Sequence, residues 1–228
     1  MAKNQQNTHP EADGLDLQAQ FGKTETFITE NQKSLTIIGS VVVAMVLLYF
    51  GYTKFYLAPR EIDAQDNMFR AEQYFEADSL DKALNGDGNY PGFLKIIEDY
   101  RGTKSANLAY YYAGVSYLKK GEFQKAIDNL NDYSAKDDIT GTTALGAIGD
   151  AYSELKDYNK AADFYKKAAD KNLKGFSATY LMKLGLVYEE LKENDKALDA
   201  YKKIKTDYAD SYQARQIDEY IARIEAKM

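Results

Sequence analysis

Three stretches of the chain, AYYYAGVSYLKKGEFQKAIDNL (109–130), ALGAIGDAYSELKDYNKAADFY (144–165) and YLMKLGLVYEELKENDKALDAY (180–201), align without a gap. Gly114, Gly149 and Gly185 fall in one column, Tyr117, Tyr152 and Tyr188 three residues on, and Ala126, Ala161 and Ala197 in a third. Each type has a packing reason. The glycine and the later alanine let two antiparallel helices approach closely, while the tyrosine and a second-helix Leu130, Tyr165 or Tyr201 fill the space between them. One such unit cannot bury its apolar face alone, so the units must stack.

A period of about 34 to 36 residues with this pattern is that of tetratricopeptide repeats. Working outward, FLKIIEDY after the Gly-, Asn- and Pro-rich loop LNGDGNYPG reads as a short amphipathic helix, and the helices before Tyr100 form a degenerate first unit. In EIDAQDNMFRAEQYF the apolar stripe is expected at Ile62, Met68, Phe69 and Tyr74 or Phe75. Carboxyl-terminal to the repeats, SYQARQIDEYIARIEAKM is amphipathic through Tyr212, Ile217, Tyr220 and Ile224 and is expected to cap the stack. Lys166 and Lys202, each followed by another lysine, occupy matching second-helix positions and read as solvated faces.

Amino-terminal to the repeats, LTIIGSVVVAMVLLYFGY (35–52) carries no charge. At a rise of about 1.5 Å per residue it is long enough to cross a bilayer core. Tyr49, Phe50, Tyr52, Phe55 and Tyr56 crowd its carboxyl end as an aromatic belt, with Lys54 and Arg60 able to snorkel. The long polar tail before it and the lack of a small-x-small site before YLAPRE argue for an uncleaved anchor over a secretory signal. Ser40, Ala44, Leu47 and Gly51 lie along one face of this helix at spacings that bring them together, a small face suited to packing against another membrane helix. Ile38, Val42 and Met45 face acyl chains. Charge bias leaves the orientation open, because Lys23 and Lys33 precede the span while Lys54, Arg60 and Arg70 follow it. The expected fold class is all-α, one transmembrane helix followed by a tetratricopeptide-repeat solenoid. Its parts are a disordered tail (1–20), a juxtamembrane segment (21–34) in which Phe21 and Ile28 share a helical face, and the transmembrane helix (35–57). A linker helix with the degenerate first repeat (58–106), three repeats (107–209) and a capping helix (210–228) follow.

Composition removes several classes of function. The net charge of −6 repels phosphate backbones, so nucleic acid is not an expected partner. There is no cysteine, and the one histidine, His9, lies in the polar tail, so thiolate or zinc sites and Ser-His or Cys-His dyads cannot be assembled. Asn85, Asp87 and Asn89 resemble a calcium loop only faintly, since acidic ligand, glycine and glutamate do not fall together at the required positions. No catalytic, cofactor-binding or metal residue, no cofactor and no small-molecule substrate is expected, and the chain reads as a non-enzyme.

Binding is then left to the first-helix face of the repeats, lined by Leu108, Tyr111, Tyr112, Val115 and Leu118, by Gly146 and Asp150, and by Met182 and Leu186. These residues are mostly apolar. The Lys and Asn pattern that grips acidic carboxyl tails is missing at Tyr111, Val115, Gly146 and Asp150, so a hydrophobic helix or strand of a folded partner fits better.

An anchor ending in FGYTKFYLAPRE, followed by YFEADSLDKALNGDGNYPGFLKIIEDYRGTKSANLAYYYAGVSYLKKGE, resembles the YfgM-like proteins of Gram-negative envelopes from about Phe21 to the end. The resemblance implies a protein of the bacterial inner membrane with its tail in the cytoplasm and its repeats in the periplasm. It also implies an ancillary role at the Sec translocon, with translocon subunits and a PpiD-type membrane-anchored chaperone as partners, and offers no catalytic residue. The alternative is a peptide-binding receptor or an assembly scaffold of another envelope machine.

Overall fold

The protein, as a computed structural model, is described over residues 29–228; the expected tail (1–20) and the face shared by Phe21 and Ile28 lie outside this range. Two compact units divide the chain, Met1–Tyr56 and Leu57–Met228.

In the first unit the uncharged stretch forms α1, Gln32–Gly51. Two of its hydroxyls find partners within the helix, Thr36 Oγ1 donating to the Gln32 carbonyl (2.7 Å) and Ser40 Oγ to that of Thr36 (2.8 Å). Neither hydroxyl needs water. None of the helix's residues is buried against protein. Residues Tyr52–Leu57 continue in π-helical form, and the helical run Gln32–Glu76 is long and apolar enough to span a membrane.

The second unit runs α2 (Ala58–Glu76), α3 (Leu80–Asn85), α4 (Phe93–Asp99), α5 (Lys104–Lys119), α6 (Phe123–Asp132), α7 (Asp138–Glu154), α8 (Tyr158–Ala169), α9 (Ser177–Glu190) and α10 (Asn194–Asp207). A 3₁₀ turn (Gln213–Gln216) and α11 (Ile217–Glu225) complete it. Side chains written into the sequence start these helices. Thr103, Asp137 and Asp157 accept from the N–H groups of Ala106 (3.1 Å), Thr140 (2.8 Å) and Lys160 (3.3 Å). Each bond satisfies a donor that a helix start leaves open. A long-range cap joins them: the Glu61 carboxylate on α2 accepts from the N–H groups of Lys104 (2.5 Å) and Ser105 (3.2 Å) and from the Ser105 hydroxyl (2.8 Å). A negative group at a helix amino terminus is also favoured by the helix dipole.

Helices pair as α5 with α6, α7 with α8 and α9 with α10, each pair stacked on the next. The glycine column is where they touch. A methyl group at Gly114 or Gly149 would come within 2.5 Å of Leu130 or 2.7 Å of Tyr165, and one at Gly185 would overlap the Tyr201 ring. These are the three second-helix residues expected to fill that space. The alanine column, Ala126, Ala161 and Ala197, is fully buried.

A fourth unit on the same plan precedes these three. Asp78, Gly121, Lys156 and Lys192 each have φ between 55° and 78° at the end of a first helix. In all four turns the next N–H reaches back five residues and the turn residue's own N–H three, as in Asp157 to Tyr152 and Lys156 to Ser153, both 2.9 Å. This is the pattern of a helix closed by a left-handed residue. A lysine four residues after each turn residue lies over the tyrosine four before it, a cation on a ring face. The pairs are Lys82 on Tyr74 (5.8 Å), Lys125 on Tyr117 (5.2 Å), Lys160 on Tyr152 (4.9 Å) and Lys196 on Tyr188 (5.4 Å). The turns of the later units are 35 and 36 positions apart and the first two are 43 apart; the surplus over 36 is the seven-residue insert 86–92, which separates α3 from α4. In that insert Asp87 accepts from the N–H groups of Asn89 (2.9 Å) and Tyr90 (2.8 Å) and from the Tyr74 hydroxyl (2.7 Å).

Two expected stripes hold in part: Met68, Ile217 and Ile224 are buried and Tyr74, Phe75 and Tyr220 are half-buried against the core, while three of the expected residues are not. On α2 the buried positions are Ala64, Met68 and Ala71, whereas Ile62 and Phe69 are exposed. Close approach to α5 selects small side chains, so hydrophobic size misreads the face. At the other end the buried set is Ile217, Ile221 and Ile224; Tyr212 is 68 % exposed because the 3₁₀ turn separates it from α11.

Candidate functional site

The first helices α2, α5, α7 and α9, followed by α11, share a face on which each meets its neighbour through side chains. Tyr111 on α5 bonds Thr143 on α7 through their hydroxyls (3.1 Å). Between α7 and α9, the Asp150 carboxylate accepts from Lys183 Nζ (2.6 and 2.8 Å) and from the Tyr165 hydroxyl (2.6 Å). Between α9 and α11, Glu189 accepts from Arg223 (2.5 Å), Lys227 (2.9 Å) and the Tyr201 hydroxyl (2.7 Å). Each carboxylate therefore receives a second-helix phenol from its own unit and a cation from the next element, which ties consecutive units together.

Electrostatics follow the geometry. Burial alone would raise the Glu189 carboxyl, but the hydrogen bonds of Arg223, Tyr201 and Lys227 outweigh it and hold it at about 2. Burial, then the Asp150 charge, pushes the Tyr165 phenol far above its usual range; burial, then the bond to Glu189, does the same for Tyr201. Both stay neutral donors. A cleft of about 500 Å³ opens here, lined by Ser153, Tyr165, Lys183, Leu186, Glu189 and Arg223 among others.

The sequence-derived lining residues fall into two sets. Leu108, Tyr111, Tyr112, Val115 and Leu118 are half-buried on α5. There the Tyr112 ring stacks on Phe93 (5.2 Å, 9°) and meets Phe75 edge-on (5.2 Å), both favoured geometries for aromatic pairs. Met182 is half-buried and Leu186 is 41 % exposed on α9. Gly146 instead lies beneath Tyr180, whose ring fills the place a β-carbon would take, so it serves the contact of α7 with α9. Asp150 is occupied by Lys183. Sequence reasoning omitted Glu72, Lys183 and Glu189, and placed Phe75 only in the apolar stripe of α2; the lysine eight residues after each unit's tyrosine would have placed α2 in register.

In the first unit, Ser40, Ala44, Leu47 and Gly51 all lie on α1, with Leu47 66 % exposed and open space around the position of a β-carbon at Gly51. Among the described residues no group of three or more His, Cys, Asp or Glu is arranged to hold a metal.

Tetratricopeptide-repeat family models match residues 108–137 and 144–213, which fall on the helices from α5 to α10 and leave the first turns of α5 and α7 outside. No curated protein shows significant similarity to the chain. The chain thus carries tetratricopeptide repeats, units that serve as protein-interaction modules, together with one helix long and apolar enough to span a membrane.

Proposed function

We propose that this chain is a non-enzymatic, membrane-anchored scaffold, an ancillary subunit of the Sec translocon that links it to a PpiD-type periplasmic chaperone. The observation that carries the scaffold reading is the half-exposed apolar face of α5, where Leu108, Tyr111, Val115 and Leu118 are held by packing on their neighbours without being covered by them. Surface of this kind on a repeat stack is suited to a partner's helix or strand. The secretion role rests on the resemblance of the anchor and first unit to YfgM-like proteins. In this reading the small face of α1 packs against a membrane-embedded partner, because lipid offers helices no hydrophobic drive and close backbone approach supplies the affinity.

Purification of the full chain in mild detergent tests both attachments. Translocon subunits and the anchored chaperone are expected to copurify with the wild type, and less of them with Ala44→Leu/Gly51→Leu. Retention by that variant, with loss by Tyr111→Ala/Val115→Ser, would assign attachment to the repeats alone. Copurification of neither partner with the wild type would overturn the secretion role.

A further inference from the structure

The α2 end of the first-helix face breaks the pattern found further along. Glu72 follows Ala71 as Asp150 follows Gly149, and Tyr112 precedes Gly114 by two as Lys183 precedes Gly185. The position that Lys183 takes in its pair with Asp150 is thus held in the first unit by Tyr112, whose ring is already stacked on Phe93, so the repeat register sets a phenol where Asp150 has an ammonium. Among the described residues no ion pair reaches Glu72 or Glu76, one turn apart on α2. Lys119, the cation at this end of α5, is bound to Asp78 and lies over the Phe75 ring (5.3 Å). The consequence is visible in Glu72, whose carboxyl is pushed up by burial and then by the Glu76 charge. The half-buried Glu72 thus lies one turn from the half-exposed Phe75 on α2, and the Phe75 ring meets Tyr112 edge-on, with Val115 one turn further along α5.

We propose that this end of the face docks a partner polypeptide segment that presents a lysine or arginine to Glu72 and Glu76 and apolar side chains to Phe75, Tyr112 and Val115. The cation supplies from outside what Lys183 supplies from within at Asp150. Partly desolvated, such a pair discriminates by sign, since an acidic segment would face two like charges. The proposal rests on the reading of the repeats as a docking face, and the two can fail separately.

The test uses the full chain in zwitterionic nanodiscs and two synthetic leucine-containing amphipathic peptides. They are identical except for Lys or Glu at one central position, and each carries a benzophenone photocrosslinker. The Lys peptide is expected to crosslink to α2 and α5, with yield at least fivefold lower for the Glu peptide and for Glu72→Gln/Glu76→Gln at an unchanged melting temperature. A second variant, Tyr112→Lys, places a cation on α5 as Lys183 does on α9 and is expected to lose the Lys-peptide crosslink, its melting temperature reporting the separate cost of the lost Phe75 and Phe93 ring contacts. Equal crosslinking by the two peptides, or no loss in the glutamine variant, overturns the proposal. Crosslinks confined to α7 and α9 overturn it while leaving the docking face standing; no crosslink to any first helix overturns both.

Discussion

Single residues show how charge and backbone geometry share the work of joining units. Glu189, its side chain only 13 % exposed, carries a carboxyl held at about 2 against an ordinary 4.5. A depressed pKa contributes stability that is present above the unfolded value and disappears as pH falls through the folded one. Acid titration of the melting temperature is therefore expected to show a loss between about pH 4.5 and pH 2 that is smaller in Glu189→Gln, whose stability is already lower at neutral pH. Equal slopes for the two proteins would remove Glu189 from the linkage. Lys192 offers a test of the opposite sign. Its φ of 60° places the residue in the left-handed region, where only glycine avoids a steric cost at the β-carbon. Lys192→Gly is expected to raise stability by up to about 1 kcal/mol in chemical denaturation, since relief of that strain exceeds glycine's extra unfolded-state entropy. A β-branched residue such as valine there is expected to lower it. The same turn in the first unit uses Asp78, a residue better suited to that conformation.

Among elements, the α7–α8 pair exposes the logic most directly, because Gly149 lies under the Tyr165 ring. Gly149→Leu has nowhere to put its side chain without parting the helices, and a loss of roughly 1 to 3 kcal/mol or more is expected. A melting temperature equal to wild type would mean the two helices are not in contact at this position. The column to which Gly149 belongs is readable because identical residue types recur at a fixed spacing, and the Leu130, Tyr165 and Tyr201 partners are readable with it. The first unit is legible only as degenerate, for two physical reasons. Ala71 takes the glycine's place, and the insert 86–92 breaks the period after α3. On α2 the large residues Ile62 and Phe69 draw the stripe to the wrong side, while the buried surface is made largely by alanines that only a close neighbour requires. The docking face is legible from Leu108 to Leu118. Its electrostatics are not, because Asp150 with Lys183 and Glu189 with Arg223 join residues 33 and 34 positions apart and no local pattern announces them.

For the whole molecule, the proposed arrangement places the amino-terminal tail in the cytoplasm and everything after about Arg60 in the periplasm. Protease added to spheroplasts is expected to digest the repeats, and a protected repeat domain would reverse the topology. A chain held by its amino-terminal end takes any tug on a bound partner through Leu57, the first residue of the repeat unit. Four residues further on, Glu61 clamps the start of α5, and beside it Arg60 donates to the Asp99 carbonyl. Load arriving along the tether meets these bonds first, at the root of α2, so the stack is strapped where peeling would begin.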